Sequence, residues 1–211
     1  DAILHFGKVV EGVLKKTDKV TAEVNLERRR AIAGSHSATH LLHSALRQVL
    51  GAHVQQMGSL VEPGRLRFDF SHDKPLSNQQ IDRLNELVNK EVQAYVPSTT
   101  RLMPYNDAIK DGAIAFFDEK YEDHVRVLSI GNHSVELCGG THVVNSSDIG
   151  LFEVYSESSI ASGVRRIEAY TGNQALSHFK AIKKDVERIS KSLEVRPSRL
   201  SEKVQELVHI N

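Results

Sequence analysis

Two pairs of residues carry the clearest chemistry in this sequence. The first is the run His36-Ser37-Ala38-Thr39-His40, and the second, about a hundred residues on, is Cys138-Gly139-Gly140-Thr141-His142. Residues four apart on an α-helix stand about 40° apart around its axis, so His36 and His40 present both imidazoles to one side, one turn apart. The second pair has the same spacing around two glycines, which read as a loop. Three imidazoles and one thiolate form a set of borderline and soft donors that suits zinc, commonly tetrahedral with nitrogen and sulfur ligands. Cys138 is the only cysteine of the chain. His43 shares a helical face with His36 and His40 and is a rival ligand, better read as a neighbour of the site than as part of it. A zinc peptidase helix would carry His-Glu-x-x-His with the Glu as general base. Here Ser37 occupies that position, which argues against peptidase chemistry.

These residues need elements to hold them. Apolar residues at Ala38, Leu41, Leu42, Ala45, Leu46, Val49 and Leu50 recur at spacings of three and four and predict a helix ended by Gly51. Strand-like runs at 54–60 and 66–70, joined by Glu62-Pro63-Gly64, predict a hairpin. Ser77 with Gln80 reads as a capping box, followed by a helical stripe at Ile81, Leu84, Val88, Val92 and Tyr95 and a stop at Pro97. Further strands are expected at 99–105, 125–130, 134–137, 151–156 and 164–170, with a short helix over 106–112. The opening stretch, Ile3 to Val24, is rich in β-branched residues with Gly and Asp-Lys turn signals and predicts two or three short strands. After Gly172 the pattern becomes two amphipathic helices, 173–195 and 197–210, broken at Arg196-Pro197, with a basic bias at Lys180, Lys183, Lys184, Arg188 and Lys191.

The fold class these patterns predict is α+β: an antiparallel or mixed sheet packed on helices, preceded by a small β-barrel-like part and followed by a helical segment. The expected division is 1–33 for the barrel-like part, 34–172 for the metal-containing core and 173–211 for the helices. Lys plus Arg and Asp plus Glu both total 27 among 211 residues. Zero net charge excludes a protein that coats nucleic acid by charge alone, while leaving room for a local basic patch such as Arg28-Arg29-Arg30. No apolar run approaches the ~18 residues of a membrane helix. One cysteine and eleven histidines suit a reducing, cytoplasmic setting. The chain begins at Asp1 and reads as a piece of something longer.

The pair of motifs, taken with Gln55-Gln56-Met57-Gly58-Ser59-Leu60-Val61, Arg67-Phe68-Asp69-Phe70 and Gly163-Val164-Arg165-Arg166-Ile167-Glu168, resembles the editing domain shared by alanyl-tRNA synthetases and free-standing alanyl-tRNA deacylases. Threonyl-tRNA synthetases carry a related domain, and the Cys-Gly-Gly-Thr-His run points to alanine. The resemblance covers roughly residues 1 to 172. It implies an aminoacyl-tRNA deacylase that hydrolyses the ester of serine or glycine on the 3′ end of alanine-specific tRNA. The implied ligands are His36, His40, Cys138 and His142, holding zinc, and the implied partners are the tRNA acceptor end and the rest of the synthetase. Thr39 is implied to recognise the serine hydroxyl and Gln56 to line the pocket. Gly139 and Gly140 would allow close backbone approach and offer N–H donors, or form a plain tight turn. Arg165 and Arg166, adjacent on a strand, face opposite ways, and Arg165 is the expected contact to tRNA phosphate. Four protein ligands would close the tetrahedron around zinc. That favours an ion that organises the pocket, with attack by metal-activated water as the alternative. A zinc-stabilised tRNA-binding module without catalysis needs the same ligands and is the competing reading.

Overall fold

The computed structural model describes residues 4–115 and 121–209. Its centre is the helix α1 (Leu26–Leu50). Asn25 caps its start, its side chain accepting a hydrogen bond from the Arg28 N–H at 2.8 Å. Its end comes at Gly51, whose φ of 117° a side chain would resist. The charged run at 27–30 forms the exposed first turns of this helix rather than a segment before it. Beyond it, residues 33 to 43 are buried almost all the way round, as befits a helix covered on several sides.

Two antiparallel sheets provide that cover. The first has the order β1 (Gln56–Glu62), β2 (Arg65–Ser71), β7 (Val164–Thr171), β6 (Phe152–Ala161). The hairpin β1–β2 turns at Pro63-Gly64, with Glu62 opposite Arg65. Along β2 and β7 the residues Leu66, Phe68, Phe70, Ile167 and Ala169 alternate inward and meet Leu42 and Leu46 of α1. The helix α2 (Asn78–Gln93) adds Leu84, Val88 and Val92 to the same core. Its Ser77–Gln80 capping box is formed in both directions. The stripe expected to run on to Tyr95 stops short. Tyr95 has a φ of 54° and is exposed, so the chain leaves the helix before Pro97 rather than at it.

The second sheet has the order β3 (Ser98–Pro104), β4 (His124–Ile130), β5 (Ser134–Leu137). Its two faces are both used. Leu128 and Ile130 of β4 join the main core, while Val125 and Val127 turn the other way and pack with Leu137, Ala113 and Ala108 of the short helix α3 (Tyr105–Lys110). The chain closes with α4 (Gly172–Ser192) and α5 (Leu200–His209), separated by a 3-10 turn at Pro197–Arg199. Ile210, the expected end of the last helix, lies outside the described residues.

The molecule is thus α+β, with antiparallel sheets packed on helices and a helical C-terminal segment. The small β-barrel-like part is a correction. Among the described residues 4–25 hold turns and bends but no strand, and Phe6, Val10 and Val13 are more than four-fifths exposed. Ile3 lies outside the described residues. β-branched composition expresses a preference for a pleated, half-buried surface. Here no such surface is available, and two or three short strands without a covered face are marginal in water. Among the described residues, no helix is long and apolar enough to cross a membrane.

Candidate metal centre

Strand alternation and helix periodicity converge on one point. On β5, Val135 and Leu137 face the smaller core, which turns Ser134, Glu136 and then Cys138 toward α1. On α1, His36, His40 and His43 lie along the facing side. The donor atoms of His36, His40, Cys138 and His142 all fall within 4.8 Å of one another, the one such group found among the described residues. The Cys138 sulfur is 3.3 Å from His142 Nε2 and 3.6 Å from His36 Nε2. The three imidazole rings stand 4.3 to 5.2 Å apart, centre to centre.

The surroundings orient these donors. The buried carboxylate of Glu136 accepts from His40 Nδ1 at 2.6 Å, which leaves Nε2 as the nitrogen that faces the group. That Nε2 is buried and has no hydrogen-bond partner. A buried polar atom without a partner is costly, and a cation among these donors would supply the missing interaction. The other oxygen of Glu136 lies 3.1 Å from His43 Nδ1 and accepts from the Ser134 hydroxyl at 3.2 Å. Ser37 sits 3.3 Å from His142 Nδ1 while accepting the Val143 N–H at 3.1 Å, so it fixes the second ligand loop against α1. Outer-shell partners of this kind set tautomer and ring direction at metal sites. The donor set and the unpartnered nitrogen both fit a divalent cation.

The charges agree. Burial opposes a thiolate at Cys138, yet the hydrogen bonds of His142 and His36 and the nearby charge of His40 bring its pKa down to about 3. Burial likewise opposes an imidazolium at His40, but the Glu136 carboxylate raises its pKa to about 10. Glu136 itself is held at about 2 against its burial by His40 and His43. Burial lowers the pKa of His142, which favours the neutral ring. A thiolate at Cys138 beside a neutral His142 suits metal ligation, whereas His40 would have to give up its Nε2 proton to a bound ion.

Gly140 lies against the His36 ring so closely that a Cβ would overlap it, whereas Gly139 has open space around its Cα. The spacing Cys-Gly-Gly-Thr-His is therefore tight at its second glycine. One guanidinium nitrogen of Arg126, on β4, donates to both the Cys138 carbonyl at 2.7 Å and the Gly140 carbonyl at 2.9 Å. In trans peptides the N–H points opposite to the C=O, so the Gly139 and Thr141 N–H groups are turned away from Arg126. Neither has a backbone acceptor among the described residues.

The remaining expected residues fall around this group. Thr39 is buried and its hydroxyl donates to the Ser35 carbonyl at 2.9 Å. Gln56, at the start of β1, lines a cavity of about 170 Å³ together with His43, Arg47, Val54, Gln55, Ile114 and Ala115. Arg165 and Arg166 do face opposite sides of β7, and each guanidinium grips a carboxylate with two bonds: Arg165 to Glu157 at 2.6 and 2.7 Å, Arg166 to Asp69 at 2.7 and 2.8 Å. Of the Arg28 to Arg30 run, Arg30 lines a separate cavity between α1 and the start of α4. Glu136, Ser37 and Arg126 escaped the sequence reading. Glu136 had one signal, a carboxylate set between the apolar Val135 and Leu137, two residues before the cysteine.

Comparison with known proteins places this geometry. Residues 125–168, which span Cys138 and His142, match the family described as threonyl and alanyl tRNA synthetase second additional domain. The chain is 49% identical over 204 residues to an alanine–tRNA ligase of Burkholderia thailandensis, and 48% identical over the same length to those of Burkholderia mallei and Burkholderia pseudomallei. Each match takes in 97% of this chain and 23% of the relative, so the chain spans about a quarter of the length of these proteins. Over nearly its whole length the chain therefore belongs with the alanyl-tRNA synthetases, as the counterpart of one segment of them that includes the second additional domain.

Proposed function

We propose that this segment is an aminoacyl-tRNA deacylase that binds zinc through His36, His40, Cys138 and His142 and hydrolyses serine or glycine from mischarged alanine-specific tRNA. The observation that carries the reading is the four-donor group, assembled from both motifs in a chain that belongs with alanyl-tRNA synthetases. Zinc, when bound, would supply positive charge that polarises a carbonyl and a point of attachment for an amino group. With four protein donors converging, its main part is to fix the pocket.

The chain's own groups would do the rest. Ester hydrolysis needs donors aimed at the oxygen on which charge develops. The Gly139 and Thr141 N–H groups, turned away from Arg126 and without backbone acceptors among the described residues, are suited to that task. The Thr39 hydroxyl spends its proton on Ser35 and keeps acceptor lone pairs, to which a serine hydroxyl can donate. Alanine has no hydroxyl to place there and would be spared; sites that read a hydroxyl discriminate by about 10⁴–10⁵. Glycine lacks the hydroxyl as well, so its removal has to rest on size. Gln56 would position water or substrate from its cavity, which His43 and the shared Glu136 carboxylate link to the ligand His40. Arg165 would reach a tRNA phosphate only by exchanging Glu157 for it.

The test is direct. Purified protein loaded with zinc and given seryl-tRNA(Ala) should release serine, with the Cys138→Ala variant at background and alanyl-tRNA(Ala) left intact. Equal rates for wild type and Cys138→Ala, with tRNA binding retained, would instead identify a binding module without catalysis.

A further inference from the structure

The structure assigns a role to Arg126 beyond clamping the ligand loop: we infer that it is the phosphate-binding residue of the site, taking a phosphodiester oxygen of the RNA whose ester is cleaved. The inference rests on the deacylase reading above for the identity of that RNA.

Arginines able to bind an anion are scarce around the metal group, because most are already spoken for. Arg165 and Arg166 each hold a carboxylate bidentately. Arg67 lies 3.7 Å from Asp69, and Arg65 is bonded to Tyr155, Glu62 and Glu168. Arg47, beside the Gln56 cavity, donates to the Ala52 and Val54 carbonyls. Arg126 differs. Only one of its nitrogens, Nη1, is engaged, and both of its acceptors are neutral carbonyls. Among the described residues its positive charge has no acidic partner within ion-pair distance, and Nε and Nη2 make no hydrogen bond. A half-buried guanidinium normally finds a carboxylate, and one left with its Nε–Nη2 edge free is suited to a bidentate anion.

Its place fits. Arg126 lines a cavity of about 230 Å³ with Tyr121, Glu122, His124, Cys138 and Gly139, so its charge, which forms no ion pair with Glu122, borders the candidate metal ligand itself. The same side chain that pins the Cys138 and Gly140 carbonyls would therefore dock the nucleic-acid backbone beside the loop whose N–H groups meet the ester. Phosphate contacts of this kind position a substrate without reading its sequence.

The experiment measures binding of an uncharged RNA minihelix, bearing the alanine acceptor stem and its single-stranded 3′ end, to zinc-loaded protein over a series of salt concentrations. Wild type and Arg126→Gln should differ by about tenfold in affinity, the worth of one charge-assisted hydrogen bond. The slope of log affinity against log salt should fall by about 0.7, the single-strand value for one phosphate. Arg126→Lys, which keeps the charge, should restore most of the slope. An unchanged slope in Arg126→Gln, with or without loss of zinc, would leave Arg126 as a clamp alone and overturn the proposal. A second measurement does not depend on the variant folding: bound minihelix should protect Arg126 of the wild type from phenylglyoxal, and lack of protection would overturn the proposal equally. Wild type that deacylates seryl-tRNA(Ala) yet shows neither effect defeats this inference alone; wild type that neither binds nor deacylates defeats it together with the reading it rests on.

Discussion

At the scale of single residues, the four-donor group depends on side chains outside it. Glu136 is almost wholly buried and divides its two oxygens between His40 and His43, so one carboxylate sets the direction of a ligand and ties it to the cavity where Gln56 lies. Replacing Glu136 by Gln keeps the shape but removes an acceptor for the His40 Nδ1 proton. Zinc affinity, measured by competition with a chromophoric chelator, should drop 10–100-fold, the range typical for outer-shell partners. The four convergent donors were legible in the sequence because spacing four is a statement about local geometry. Glu136, Ser37 and Arg126 were not, since each earns its role from a partner 12 to 105 residues away that only the fold brings near. Arg165 shows the same boundary from the other side: alternation gave its direction, but nothing in the sequence named Glu157 as the carboxylate that holds it.

At the scale of elements, the strongest local signals gave the right answers. The apolar stripe of α1, the Pro63-Gly64 hairpin and the Ser77–Gln80 box each specify backbone geometry through groups only a few residues apart. The box can be tested by itself. Ser77→Ala should destabilise the protein by about 1 kcal/mol in urea unfolding, because Gln80 loses its N–H acceptor while nothing else packs against the exposed cap. Residues 4–25 mark where such reasoning ends. A strand is defined by its neighbour, and β-branched residues alone cannot supply one.

At the scale of the whole molecule, the metal group joins parts that otherwise meet mainly through apolar contacts. His36 and His40 ride on α1, which packs on the four-stranded sheet; Cys138 and His142 follow β5 of the three-stranded one. A bound ion would link the two layers. Ligand binding to the folded state alone stabilises by about 4 kcal/mol when free ligand exceeds its Kd a thousandfold. Wild type should accordingly melt several degrees lower after chelation and recover on adding zinc. Cys138→Ala should melt at nearly the same temperature with or without chelator, and a wild type indifferent to chelation would argue that no structural ion is held.

The alternation along β5 carries a consequence for how such a chain can change over evolutionary time. Ser134, Glu136 and Cys138 reach α1 because they sit two apart, with Val135 and Leu137 turned to the opposite core. A substitution here alters one contact, such as the Glu136 acceptor or the Cys138 thiolate. A single inserted or deleted residue alters all of them, because it would reverse the face of every later side chain at once, sending the thiolate into the apolar core and a leucine toward the imidazoles. The length of this short strand is what keeps these contacts together.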